Sequence, residues 1–378
     1  MATKRHTVVI TLSERCNLNC VYCYEKGKDV GLMPFEKAKD IIRKSFVETA
    51  DGDDILFEFH GGEIALAFDR LREICEWMWS REWRNAYSCF AITNGTLIHG
   101  ETARWFKSNR ERFQLGLSLD GTPEMHNRNR SNSYGLIDFG FFLENWPRQP
   151  VKMTFSPESI PSVAAGLRHV HGLGFEVRCN LAYGCDWPES LLDTYSEQLD
   201  EMVEWYLMNP EVLPASLFCQ KFERIGEMAV AGRRPTKWCS CGDGSECYSP
   251  SGVCYPCQVF MPSTFGRDVS QELAQQDFHG IENFHDSMCD GCVLEPSCAT
   301  CPAHNYLASG SLARRPVDLC AYRKVELLHA ATLMGKMLAW SDRYRYMREM
   351  ETQKRPFVAK GILETLKFLE GGRMGHGT

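Results

Sequence analysis

Three cysteines on one short loop constrain this chain more than any other feature. Cys16-Asn-Leu-Asn-Cys20-Val-Tyr22-Cys23 follows a strand-like run at 7–12, giving a Cys-x3-Cys-x2-Cys spacing. Thiolates spaced in this way can each ligate one iron of a cubane cluster and leave the fourth iron open to a small molecule. The competing reading is a structural zinc knuckle, which takes a fourth protein ligand at close spacing. No further cysteine occurs until Cys75, so the loop itself does not supply one.

The other cysteines sharpen the point. Of the 18, eight fall in residues 1–238 and ten crowd into 239–320. The first strand-like run leaves no room for a signal peptide, so the expected compartment is the cytoplasm, where thiols stay reduced. Clustered thiols in a reducing compartment point to metal or iron–sulfur binding rather than to a disulfide scaffold. A formal charge of −7 argues against nucleic acid or anionic membrane as the main partner. No apolar run approaches the roughly 18 residues of a membrane span.

From 7 to about 209, short β-type runs alternate with longer helical stretches. Strands are predicted at 7–12, 55–60, 88–93, 114–119, 151–155 and 176–181, several closed by turn residues such as Gly61-Gly62, Asn94-Gly95 and Asp120-Gly121. Amphipathic helices are predicted at 34–49, 69–82, 101–109, 136–144, 160–173 and 188–208. Six β–α units in series imply an α/β fold with a parallel sheet and helical crossovers, too few for a closed eight-stranded barrel. The alternation ends near 210–234, with a boundary expected at 232–235; helices are expected at 322–350 and 360–369, and a frayed tail from 371.

On these residues the chain resembles the radical S-adenosylmethionine (SAM) superfamily, in which the triplet follows the first strand of a partial (β/α)6 TIM-like barrel. Tyr22 fills the aromatic slot before the third cysteine. Gly61-Gly62-Glu63 resembles the motif that meets the amino group of SAM; glycines would let the backbone approach the ligand, and the carboxylate would pair with its ammonium. Thr93-Asn94-Gly95 and Ser118-Leu-Asp120-Gly121 end the next two strands, and the resemblance assigns SAM contacts to Ser118 and Arg130, with Asn94 and Asp120 beside them. Each motif alone is ordinary, but all lie at C-terminal strand ends, where parallel sheets place ligands. Ile64 stands where proline commonly follows, and Asn127 where aspartate is usual.

The second cysteine group resembles the SPASM extension of the peptide- and protein-modifying branch, which carries two auxiliary [4Fe–4S] clusters. Gly252-x4-Cys257 sits in an apparent β-hairpin with a Pro-Ser-Gly turn, ahead of Cys289-x2-Cys292-x5-Cys298-x2-Cys301 and Cys320. The resemblance implies one cluster on Cys241, Cys247, Cys257 and Cys301 and another on Cys289, Cys292, Cys298 and Cys320, three clusters in all with the triplet. Cys239 competes with Cys241, and the family has x3 where Cys301 follows at x2. By spacing alone, the four cysteines at 289–301 could also make a zinc knuckle. The expected domains are a barrel at 1–235, a SPASM domain at 236–325 and C-terminal helices and tail at 326–378. Cys75, Cys89, Cys179, Cys185 and Cys219 are expected to be packing residues.

The resemblance implies reductive SAM cleavage to a 5′-deoxyadenosyl radical, which abstracts hydrogen from a peptide or protein substrate. An electron donor such as flavodoxin or ferredoxin is then required. The barrel begins within ten residues of Met1, so no leader-binding domain is expected to precede it, and a separate leader-recognition protein becomes a candidate partner. Sulfatase maturases of this branch carry a basic aspartate after the hairpin cysteine; here Gln258 stands there, which disfavours formylglycine formation and leaves Glu58 and Asp186 as base candidates. Oxidative cross-linking of a ribosomally made peptide, with loss of two hydrogens, is therefore the leading expectation. The alternatives are a sulfatase-maturase-like oxidation of Ser or Cys and, from another class, a non-catalytic zinc or iron–sulfur protein.

Overall fold

The computed structural model describes residues 4–28, 31–232 and 239–371. Apart from Gly232, the boundary expected at 232–235 lies outside the described residues, as does the tail from 372. The chain forms two compact units, each assembled from separated segments: 1–119, 126–151 and 240–279 make the first, and 120–125, 152–239 and 280–378 the second.

Each of the six predicted strands is present. In the first unit β1 (Arg5–Ser13), β2 (Asp54–Gly61), β3 (Tyr87–Thr93) and β4 (Phe113–Leu117) pair in parallel in chain order. Helices Phe35–Glu48, Phe68–Trp79 and Gly100–Ser108 provide the crossovers that parallel pairing demands. Apolar residues recur on one face of the first, where Ala38, Ile41, Ile42 and Phe46 are buried. Val8, Ile10, Phe57 and Ala91 make the strand side of the core without exposed surface. All of this is the α/β architecture expected from the sequence.

Hydrogen bonding divides the six strands as four and two. β5 (Val151–Phe155), all but its first residue, and β6 (Val177–Leu181) form a separate two-stranded sheet in the second unit. The free edge of β1 is taken instead by β7 (Ser245–Tyr248), which runs parallel to it in the register Val9↔Cys247. β8 (Cys254–Tyr255) returns antiparallel to β7, completing the order β4-β3-β2-β1-β7-β8. The expected hairpin turn is closed by Gly252 N–H donating to Ser249 O at 2.8 Å, with Gly252 at φ +82°. That conformation suits glycine and strains other residues.

In the second unit the long helix Val317–Ala339 packs against Leu192–Met208 and Arg355–Glu370, and Arg355–Glu370 packs in turn against Phe222–Ala231. The sequence pattern at 322–350 resolves into Val317–Ala339 and a short helix Arg345–Glu349. His171 is a half-buried polar point here: Nδ1 lies 3.1 Å from Phe175 O and Nε2 2.9 Å from the Tyr206 hydroxyl, which itself accepts from Ala215 N–H at 3.0 Å. A neutral ring satisfies this chain, donating from Nδ1 and accepting at Nε2.

Burial holds the His171 pKa down, from the ordinary 6.5 to about 4. The unfolded chain therefore binds a proton that the folded one refuses, and folding stability falls as pH drops from 6.5 towards 4. The loss over that window should reach about 3 kcal/mol. Urea unfolding at pH 7 and pH 4.5 should show part of this loss, and His171→Gln should flatten the difference; an equally steep variant would contradict the assignment.

Candidate active site

The triplet loop is fixed from three sides within the first unit. Gly62 N–H donates to Ser13 O at 3.0 Å and Glu63 N–H to Arg15 O at 2.8 Å, so the end of β2 continues to pair with the backbone entering the triplet. A Cβ on Gly61 would strike Ser13 O, and one on Gly62 would strike the carbonyls of Glu14 and Arg15. The glycines are thus required by the chain's own close backbone approach, a reason additional to the ligand access expected from sequence.

At the end of β3, Asn94 Nδ2 donates to Asn17 Oδ1 at 2.9 Å, while Asn17 Nδ2 donates to the Thr96 hydroxyl at 2.8 Å. Asn94 Oδ1 accepts from the Thr96 hydroxyl at 2.8 Å, closing a ring of three side chains around the loop. From the segment after β4, Asn129 O accepts Val21 N–H at 3.0 Å and the Ser131 hydroxyl accepts Asn19 N–H at 2.9 Å. Arg130 stands 5.5 Å over the Tyr22 ring.

Glu63 is the electrostatic centre of this arrangement. It is 3% exposed, and its carboxylate accepts from Ala65 N–H at 3.0 Å, the Thr93 hydroxyl at 2.6 Å and Asn94 N–H at 2.7 Å. Burial lifts its pKa, opposed by these donors and by Arg130. Ser118, 7% exposed, is anchored by its N–H to Thr93 O at 2.9 Å. Asp120 falls in the second unit, fully buried, where its carboxylate accepts Thr154 N–H at 2.9 Å.

The triplet thiols are half-buried, and burial pushes Cys16 and Cys23 upward. Cys20 O accepts Cys23 N–H at 3.0 Å, tightening the turn. Beyond it, Lys26 and Gly27 N–H both donate to Ser263 O, at 2.8 and 2.9 Å, tying the loop to the segment after the hairpin. Cys247 and Cys257 interact electrostatically in this unit, with Cys247 Sγ 3.8 Å from the Thr11 hydroxyl. Cys241 is buried in the same unit and bridges to Ser245. Glu58 lies half-buried on β2, whereas Asp186 is exposed on the loop after β6.

In the second unit, Cys289, Cys292, Cys298 and Cys320 face one another across a single pocket. Burial pushes Cys289 up to about 12 and Cys298 up to about 11, and Arg315 opposes both. The Arg315 guanidinium is itself held by Glu295 at 3.4 Å, and the Arg315 backbone N–H donates to the Asp286 carboxylate at 2.7 Å. Cys301 lines the same pocket and interacts with Cys239. Among the described residues, no three His, Cys, Asp or Glu side chains close on a single-ion site. Cys75, Cys89 and Cys179 are buried, as packing residues should be; Cys185 and Cys219 are half-buried.

Sequence reasoning missed Asn17, Thr96, Ser131 and the pair Glu25–His60. A signal existed for the last: a parallel strand usually reads as a continuous apolar run, and Glu58 and His60 interrupt β2.

No family model matches the chain. A cysteine-type anaerobic sulfatase-maturating enzyme of Clostridium novyi (strain NT) is 35% identical over 142 residues, covering 35% of this chain and 37% of that enzyme. The match thus spans little more than a third of this curated relative. Among solved structures, native anSMEcpe with bound AdoMet and Kp18Cys peptide is similar at a TM-score of 0.66 and 18% identity, covering 88% of this chain and 99% of that one. The chain has the radical SAM/SPASM fold. Streptococcus suis SuiB bound to precursor peptide SuiA is a further match of the SPASM fold, at a TM-score of 0.55 and 14% identity over 84% of this chain and 76% of that one. The fold implied by the sequence resemblance is borne out by these neighbours.

The backbone contact at Gly62 gives a direct test of this site. Gly62→Ala should lower stability by about 1–3 kcal/mol through overpacking. Gly135→Ala, with nothing within 4 Å of the added carbon, should be nearly neutral in the same urea titration. Equal effects would contradict the close approach.

Proposed function

We propose that the chain is a radical SAM peptide-modifying enzyme that removes two hydrogens from a ribosomally made peptide to close a cross-link. The observation that carries this reading is the triplet loop, held at once by the ends of β2 and β3 and by the segment after β4, with the buried Glu63 carboxylate beside it. A [4Fe–4S] cluster with SAM bound supplies a 5′-deoxyadenosyl radical. Cys16, Cys20 and Cys23 would hold that cluster, and Glu63 would accept from the methionyl ammonium. Tyr22, Asn94, Ser118 and Arg130 would line the SAM position, Ser118 and Arg130 meeting its ribose or carboxylate.

Two auxiliary clusters complete the reading. Cys289, Cys292, Cys298 and Cys320 suit one: a cubane takes one thiolate on each iron, and these four already share a pocket. Cys241, Cys247 and Cys257 contribute to the other. An auxiliary cluster can accept the electron that cross-linking leaves behind. Flavodoxin or ferredoxin would reduce the SAM cluster, and a separate leader-recognition protein would deliver the peptide. A thiol-reducing cytoplasm is the compartment in which such clusters persist; among the described residues, no helix is long and apolar enough to cross a membrane.

The runner-up, formylglycine formation, draws on the identity to the cysteine-type sulfatase-maturating enzyme. Against it stands Gln258, which cannot accept a proton where that branch places its aspartate.

After anaerobic reconstitution, the protein should carry about twelve irons and form 5′-deoxyadenosine from SAM and dithionite. Changing Cys16, Cys20 and Cys23 to Ala should remove about four irons and abolish 5′-deoxyadenosine. Precursor peptides encoded beside the gene should become lighter by two hydrogens and stay inert to hydrazide. A hydrazide-reactive aldehyde would favour the sulfatase-maturase reading, and stoichiometric zinc in a colourless protein would defeat both.

A further inference from the structure

Resting on the peptide-modifying reading, we propose that His60, oriented by Glu25, is the proton acceptor for the substrate. Glu25 lies two residues past Cys23 and is 7% exposed; its Oε1 is 3.3 Å from His60 Nε2. The His60 side chain is 20% exposed, so the pair is buried without being sealed. A buried carboxylate–imidazole pair adds little net stability, because desolvating both partners offsets their attraction. Its placement is therefore the more informative property.

That placement is between the two cysteine groups of the first unit. In register, Thr11 pairs with His60 and Val9 with both Glu58 and Cys247. Laterally paired residues share a sheet face, so His60, Thr11, Glu58 and Cys247 lie on the same side. Tyr24, next to Glu25, interacts electrostatically with Cys23, Cys247 and Cys257. The loop carrying Glu25 is also bonded to Ser263, five residues beyond Gln258.

The chemistry is consistent with this role. With its hydrogen on Nε2 donated to Glu25, the ring keeps Nδ1 as an acceptor, and the carboxylate stabilises the imidazolium that forms. The charged groups facing His60 are Glu25 from the triplet loop, Glu58 from its own strand and Glu14 from the end of β1. Burial pulls the imidazole down, but the Glu25 hydrogen bond and these charges lift it further, leaving it raised from the ordinary histidine value.

The step balances as follows. A substrate C–H bond breaks and its hydrogen atom goes to the 5′-deoxyadenosyl radical. A substrate thiol, hydroxyl or amide X–H bond breaks and its proton goes to His60 Nδ1. A C–X bond forms, and an auxiliary iron–sulfur cluster, where bound, would supply the acceptor for the remaining electron. The peptide loses two hydrogens.

The test uses the reconstituted full chain, and diethylpyrocarbonate, which acylates unprotonated imidazole, reports on His60 through mass mapping of its peptide. A precursor peptide encoded beside the gene serves as probe, its binding followed by fluorescence anisotropy. Bound peptide should shield His60 from acylation. Without peptide, the pH of half-maximal labelling should lie above the ordinary histidine value and move down in Glu25→Gln. His60→Gln should lower product formed per SAM cleaved by about a hundredfold. Bound peptide that leaves His60 fully labelled, or a labelling profile indifferent to Glu25→Gln, overturns the assignment while leaving the peptide-modifying reading intact. Failure of the peptide to bind counts against that reading and takes the assignment down with it.

Discussion

The close pairing of Gly61-Gly62-Glu63 with the backbone at 13–15 is the contact on which the site depends. It carries the β1–β2 ladder past the end of the sheet and into the loop that bears the three thiols. Only residues without a Cβ permit it, since the carbonyls of Ser13, Glu14 and Arg15 fill the space a side chain would need. The same pairing delivers the Glu63 carboxylate into a buried position, where Thr93 and Asn94 hold it through short hydrogen bonds. An ionisable group in that setting is stabilised by aimed donors rather than by water. Strand ends, acidic anchor and cysteine loop therefore form one rigid piece.

Much of this was legible in the sequence because its signals are local. Alternating apolar runs closed by Gly-Gly, Asn-Gly and Asp-Gly placed all six strands to within a few residues. The triplet spacing and the hairpin turn at Gly252 are equally local. Pairings between distant segments leave no such trace: nothing near 245–248 announces that these residues will extend the sheet beside β1. Nor does periodicity separate the first four strands from β5 and β6. The Asn17–Asn94–Thr96 ring was invisible for the same reason, being made of ordinary turn residues that acquire meaning only when two strand ends meet.

The cysteine chemistry follows from burial. Thiols at 289, 298 and 301 sit in surroundings that favour the neutral form, and Arg315 offsets part of that cost at the first two. Thiolate ligands must lose their protons to bind metal, so loading such a site releases protons and couples assembly to folding. The guanidinium, held by Glu295, would remain as a fixed positive charge beside any cluster bound there.

The central claim is that SAM chelates an open iron held by Cys16, Cys20 and Cys23. Electron–nuclear double resonance on the reduced protein, loaded with SAM carrying nitrogen-15 in its amino group and oxygen-17 in its carboxylate, tests it most directly. The account predicts strong coupling of both labels to the cluster, lost in Cys16→Ala. A reduced cluster that shows neither coupling at saturating SAM would contradict it.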